Sequence, residues 1–191
     1  MKLIKIILFI SLALCCTQVS AQQIGKELYI DKVNDFMVSY PDTWQLEEGQ
    51  EGEITIYSPF SEEYSEDEMD SESDIEIIEE KIQISPSRWD EGSLEDYLDA
   101  NFHSIDWSEF FNDFVIEKEG KETINGKEAI WFMAKYYVGD EPCISYFYFI
   151  KMFNKVISFT SFCKEEDFEL DYKIKYLEII RSTRSYLDSK R

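Results

Sequence analysis

Two runs near the C-terminal end, Cys143 to Lys151 (CISYFYFIK) and Lys155 to Cys163 (KVISFTSFC), are dense in β-branched and aromatic residues and are separated only by Met152-Phe153-Asn154. Runs of this kind at this separation read as an antiparallel hairpin. If the three intervening residues form the loop, Lys151 faces Lys155 and Cys143 faces Cys163. A two-residue loop would instead shift the register by one and set the thiols on opposite faces of the sheet. In an oxidising compartment the first register predicts a disulfide between Cys143 and Cys163 that closes the open end of the hairpin. Two buried thiols are the alternative.

The hairpin has company on both sides. Phe114 to Glu119 and Glu128 to Val138 flank Asn125-Gly126, a dipeptide suited to a turn that needs positive φ, so four antiparallel strands are expected in succession. Upstream, Asp35 to Tyr40 reads as a strand ending at the Pro41-Asp42 turn, with Trp44 directed to the core. Glu53 to Ser58 and Ile75 to Ser85 alternate as strands do. Ser93 and Asp96 form a capping-box-like helix start, followed by Leu94, Tyr97, Leu98, Phe102 and Ile105 at helical spacing. A closing helix is expected over Asp167 to Tyr186, with Phe168, Tyr172, Tyr176, Ile179, Ile180 and Thr183 on one face. No internal repeat is visible.

Taken in order, Phe36 to Trp44 (FMVSYPDTW), Ser93 to Leu98 (SLEDYL), Ile124 to Phe132 (INGKEAIWF), the strong strand pair and a terminal helix containing Ile180-Arg181-Ser182 resemble the PsbP/Mog1-like superfamily. The resemblance runs from Phe36 to Leu187. It implies an α+β fold, an antiparallel sheet of about six strands flanked by helices on both faces. It also implies non-catalytic work, since the better-known members are an extrinsic subunit of photosystem II and a binder of a small nuclear GTPase. The acidic stretch Phe60 to Asp74 departs from that pattern, and no binding residue of the family maps onto this chain position by position.

Export is legible at the start of the chain. Lys2 and Lys5, the apolar run Ile6 to Leu14 and the small-residue exit Val19-Ser20-Ala21 match a secretory leader over residues 1–21. The apolar run is too short to span a bilayer. Leu14 and Cys15 stand where lipid attachment sites have a small residue, which argues against a lipoprotein. Cleavage after Ala21 leaves a 22–34 segment and a single domain over 35–188, with 60–74 as an acidic loop insertion. Aromatic residues make up 16% of the chain and it has only 7 Gly and 4 Pro, a composition that folds rather than remains disordered.

Loss of Lys2 and Lys5 with the leader leaves 17 basic residues against 40 acidic ones, a net charge of −23. Such a surface repels phosphates, which excludes nucleic acid and direct docking on an anionic membrane. A protein partner with basic and apolar features fits better, and the chain itself is expected to be a monomer. Trp89, Trp107, Phe110 and Phe111 crowd one stretch with Phe114. Most should close the core between helix and sheet; any that stay exposed would offer a partner surface.

Chemistry is sparse. His103 is the only histidine, so any triad or Cys-His pair would have to use it, and it falls where a helix end or loop is the simpler reading. No phosphate-binding glycine loop or dinucleotide fingerprint is present. No cofactor is therefore expected, calcium excepted. Asp67, Asp70, Glu72 and Asp74 offer hard oxygen ligands at alternating spacing. They lack the glycine and the twelfth-position acid of an EF-hand, because that position counted from Asp70 is Lys81. The expectation is an exported, non-enzymatic binding or accessory protein of the cell envelope, periplasmic or extracellular. A calcium-responsive module using residues 62–74 and a carboxylate-based hydrolase are the rivals.

Overall fold

The computed structural model describes residues 25–59, 80–90, 92–168 and 173–190. The expected leader and the acidic insertion lie outside them, as do Asp67, Asp70, Glu72 and Asp74. The described chain is mostly antiparallel sheet with a few helices. Among the described residues nine strands form two sheets, against the six or so expected. β1 (Lys26–Asp31) pairs with β2 (Phe36–Pro41). β3 (Gln45–Glu48), β4 (Ile54–Tyr57), β5 (Lys81–Arg88), β6 (Asn112–Ile124), β7 (Lys127–Val138), β8 (Glu141–Met152) and β9 (Lys155–Lys164) form a seven-stranded sheet in the order β3-β4-β5-β9-β8-β7-β6. Helix α1 covers Leu94–Asn101, α2 the single turn Glu165–Asp167 and α3 Lys173–Ser182.

Strand β8 organises the core, because Cys143 through Ile150 are buried without interruption. Successive residues of a strand point to opposite faces. Tyr146, Tyr148 and Ile150 join one apolar cluster with Phe36, Val38, Trp44 and α3's Tyr176, Ile179 and Ile180. Phe147 and Phe149 join the other, with α1's Leu94, Tyr97 and Leu98 and with Phe102 and Phe132. Ser145, the polar residue in this run, is satisfied by the Tyr136 hydroxyl at 2.8 Å.

Local chemistry explains where elements begin and end. Ser93 caps α1 as expected: its hydroxyl accepts from the Asp96 amide at 3.1 Å while the Asp96 carboxylate accepts from the Ser93 amide at 2.7 Å. Asn125 and Gly126 adopt φ of 48° and 78° in the β6–β7 turn, the mirror-image turn that suits strand twist. Gly120 is required for a different reason, since a Cβ there would lie 2.7 Å from the Trp131 ring. Helix α3 is shorter than expected. Thr183 leaves the helix, and Arg184 pairs with Met37 through two backbone hydrogen bonds of 2.9 and 3.1 Å, which draws the tail into extended conformation.

The β8–β9 hairpin corrects the disulfide. Met152 pairs with Lys155, so only Phe153 and Asn154 form the turn, and Ile144 pairs with Cys163 while Cys143 pairs with Lys164. Alternation then puts Cys143 and Cys163 on opposite faces, and no disulfide joins these buried thiols. Burial first, then the charge of Glu80, pushes the Cys163 thiol well above its ordinary range. A chain starting at Gln22, denatured without reduction, is expected to titrate as two thiols, with Cys163 resisting alkylation until unfolding; fewer than one thiol would restore the disulfide.

The Asn125 side chain also ties the sheet to the tail, donating to the carbonyls of Arg181 at 2.9 Å and Thr183 at 2.8 Å. Asn125→Asp keeps a residue that tolerates the turn but replaces the donor with an acceptor. It should lower unfolding stability in urea by about 1–2 kcal/mol; an unchanged midpoint would mean the tether is not what holds the tail.

Candidate functional site

The aromatic stretch divides on inspection. Trp107 stacks on Phe114 with centroids 5.0 Å apart and planes at 14°, and tilts against Phe102 and Phe147 at 5.1 and 5.3 Å. Phe111 lies 4.3 Å from Tyr136. Trp89 meets the edge of Tyr97 at 5.4 Å, and its indole N–H donates to the Ser93 carbonyl at 3.2 Å. Trp89 and Trp107 extend the α1-side cluster, and all three rings are half-buried. Phe110 alone of the four stands out, 66% exposed. Val115 and Tyr137 are also exposed nearby in the pairing scheme, on the outer strand β6 and at the end of β7. That edge is broken by register shifts around Asp113 and Glu117 and carries alternating charges, devices that discourage strand addition.

A cleft of about 270 Å³ opens between α1 and the β6–β7 pair, lined by Glu95, Asp99, His103, Lys121, Ile130 and Phe132 among others. His103 sits just past the end of α1, exposed, with its ring edge-on to Phe132 at 5.4 Å. Glu95 forms an ion pair with Lys121. That hydrogen bond holds the Glu95 carboxyl below its ordinary range and the Lys121 ammonium above its own. No serine, threonine or cysteine is among the lining residues. The groups that share the lining with the imidazole are the carboxylates of Glu95, Asp99 and Glu119 and the Lys121 ammonium, so the cleft can hold a small polar group. Among the described residues no three His, Cys, Asp or Glu side chains are grouped to hold a metal ion, and no helix is long and apolar enough to cross a membrane.

A larger opening lies elsewhere, at a place the sequence did not mark. A groove of about 580 Å³ runs between the β1–β2 turn, the β8–β9 turn and the C-terminal segment. Asp31 builds its first wall by accepting from the Val33 and Asn34 amides, both at 2.8 Å, and from the Asn34 side chain at 2.7 Å. Lys155 joins the second wall to the first, donating to the Val33 carbonyl at 3.0 Å and to Asn34 Oδ1 at 2.6 Å. Asp35 joins the third, accepting from the Ser185 hydroxyl and the Leu187 amide, both at 2.8 Å. Lys127 pairs with Asp188 at 3.0 Å along the floor. Three apolar side chains rise from these walls into solvent: Phe153 is 91% exposed, Val33 86% and Leu187 61%. The sequence signal was present in Phe153-Asn154, but a phenylalanine does not announce a two-residue turn.

Solved structures share this architecture. A cyanobacterial PsbP (CyanoP) from Synechocystis sp. PCC 6803 superposes with a TM-score of 0.59 at 14% identity, covering 87% of this chain and 96% of that one. LpqN of Mycobacterium tuberculosis, described as involved in cell envelope biogenesis, superposes with a TM-score of 0.55 at 10% identity over 86% of each chain. A protein from Bacteroides thetaiotaomicron gives 0.55 at 13% identity, covering 84% of this chain and 48% of that one. No protein-family model matches the chain, and no curated protein matches it. The fold is thus PsbP/Mog1-like, as the order of sequence segments implied.

The packing separates two phenylalanines that look alike in the sequence. Phe102 stacks on Phe132 at 4.8 Å and is almost fully buried. Phe102→Ala should cost about 3–5 kcal/mol in a denaturation titration, whereas Phe110→Ala should stay within about 0.5 kcal/mol. Equal effects would place Phe110 in the core.

Proposed function

We propose that the chain is an exported, non-enzymatic binding or accessory protein of the cell envelope, built as an α–β–α sandwich and working through contacts with a protein partner. The observation that carries this reading is the fold. It matches a cyanobacterial PsbP over nearly the whole of both chains, and it is shared with a mycobacterial protein tied to cell envelope biogenesis. The leader-like residues 1–21 support export to the same setting. The surface supports binding over catalysis. One groove is rimmed by exposed apolar side chains, and the one histidine lines a cleft that holds no serine, threonine or cysteine.

Crosslinking and affinity capture of the native protein from its own cells, with mass spectrometry of the retained proteins, tests this reading. A recurrent envelope protein is expected, together with a mature N-terminus at Gln22. An empty capture at full recovery, or a retained leader in the cytoplasm, would overturn it.

A further inference from the structure

The β6–β7 turn places a reactive pair of residues at a structural tether. Of the five asparagines in the chain, Asn125 alone precedes a glycine. The side-chain carbonyl carbon of an asparagine can be attacked by the backbone nitrogen of the following residue, and a side chain on that residue hinders the approach. Gly126 has none, and the place where its Cβ would stand meets nothing within 4 Å. Both residues are exposed at the tip of the turn. The pair therefore carries everything the reaction needs except water.

The same side chain holds the tail. Its amide nitrogen donates to the Arg181 carbonyl at 2.9 Å and to the Thr183 carbonyl at 2.8 Å, so both amide hydrogens are in use. Only the nitrogen end of the amide can face two carbonyls. The tail is fastened again further on, where Asp35 accepts from the Ser185 hydroxyl and the Leu187 amide, both at 2.8 Å, and the Ser185 hydroxyl accepts from the Asp188 amide at 3.1 Å. Ser185, Leu187 and Asp188 also line the larger groove. Loosening the tail at residues 181–183 thus reaches one wall of that groove.

We propose that Asn125-Gly126 is a self-modification site, a deamidation that the docked tail restrains and whose product releases the tail. The Gly126 nitrogen bonds to Cγ of Asn125, the Cγ–Nδ2 bond breaks, and the NH2 group leaves as ammonia with the proton of the Gly126 N–H. Water then opens the cyclic imide at either carbonyl, leaving aspartate or an isoaspartate whose main chain runs through the side-chain carbon. Nothing is oxidised or reduced. While the tail is docked, bringing Cγ face-on to the Gly126 nitrogen requires the side chain to rotate and give up both hydrogen bonds, so the tail guards the site. After reaction the donating nitrogen is gone. A carboxylate offers no hydrogen to two carbonyl oxygens, so the tether is not remade and the latch runs one way. This chemistry is independent of the accessory-protein reading.

Incubation of the intact mature protein at mildly alkaline pH, well below its thermal midpoint, with peptide mapping by mass spectrometry over several weeks, tests the site. Asn125 is expected to lose its amide ahead of Asn34, Asn101, Asn112 and Asn154, with isoaspartate among the products. Ser185→Ala removes two hydrogen bonds from the tail and leaves the turn as it is; it should speed the loss at Asn125 several-fold. Ion exchange separates the reacted fraction by its added negative charge. Trypsin should cut that fraction after Arg184 about ten-fold faster than unreacted protein, and Asn125→Asp should share the faster rate. Loss at Asn125 no faster than at the other asparagines would remove the site. Equal rates in the wild-type chain and in Ser185→Ala would mean that the tail does not guard it, and equal trypsin rates before and after reaction would mean that the amide is not the latch; either result overturns the inference.

Discussion

Strand β8 is the constraint on which the other elements depend. Eight consecutive residues of it are buried, so both faces of the sheet must be covered, while β7 and β9 take up its hydrogen bonds on the two edges. Burying one large apolar side chain stabilises a fold by roughly 1.5–3 kcal/mol. Tyr146, Tyr148 and Ile150 on one side and Phe147 and Phe149 on the other therefore make covering both faces strongly favourable. The rest of the chain answers that demand. Helix α1 brings Leu94, Tyr97 and Leu98 to one cluster, and α3 with β2 brings Tyr176, Ile179, Phe36 and Val38 to the other. The tail is held by bonds that fix position more than they add energy, from Asn125 to the Arg181 and Thr183 carbonyls and from Arg184 to Met37.

Much of this was legible because particular residues leave only one local solution. Asn125-Gly126 names its turn, since both residues accept positive φ and few other pairs do. Ser93 with Asp96 names a helix start by its reciprocal hydrogen bonds. The unbroken apolar content of β8 and β9 names a central hairpin. Other features carried no such signal. β1 is exposed along most of its length and holds its place by pairing with β2 rather than by an apolar pattern. β3 is four residues long and mostly exposed, and nothing in Gln45–Glu48 favours a strand apart from its neighbour β4. The end of α3 is set by a long-range bridge to Met37, which local propensity does not encode.

Charge contributes to function more than to stability. Ion pairs of the described chain such as Lys26 with Glu178 and Lys127 with Asp188 are at least partly exposed and stabilise by little, since water and salt screen them. Their arrangement still matters for recognition. Where lysines face carboxylates the surface is closed to further acidic contacts. The acidic excess of the chain discourages most anionic encounters at a distance.

A single-residue choice of register decides both the redox state and the shape of the opening beside the β8–β9 turn. With Met152-Phe153-Asn154 as the loop, Cys143 and Cys163 would share a rung, and Phe153 would be the middle of a longer, looser connection. With Phe153-Asn154 as the turn, every partner shifts by one, the thiols part to opposite faces, and Met152 is drawn into the strand and the core. Phe153 is then pushed into the left-handed corner of a tight turn, outward, with Lys151 and Lys155 two residues away on either side. Packing explains the choice of register. It seats Met152, Ile150 and Tyr148 in one cluster and Phe149 and Phe147 in the other, and a slip of one residue would misplace β9's Ile157, Phe159 and Cys163 relative to them. The exposed phenylalanine is what that register leaves at the tip. Asparagine or glycine would satisfy the turn at lower conformational cost, so the turn geometry alone does not account for a phenylalanine at the tip.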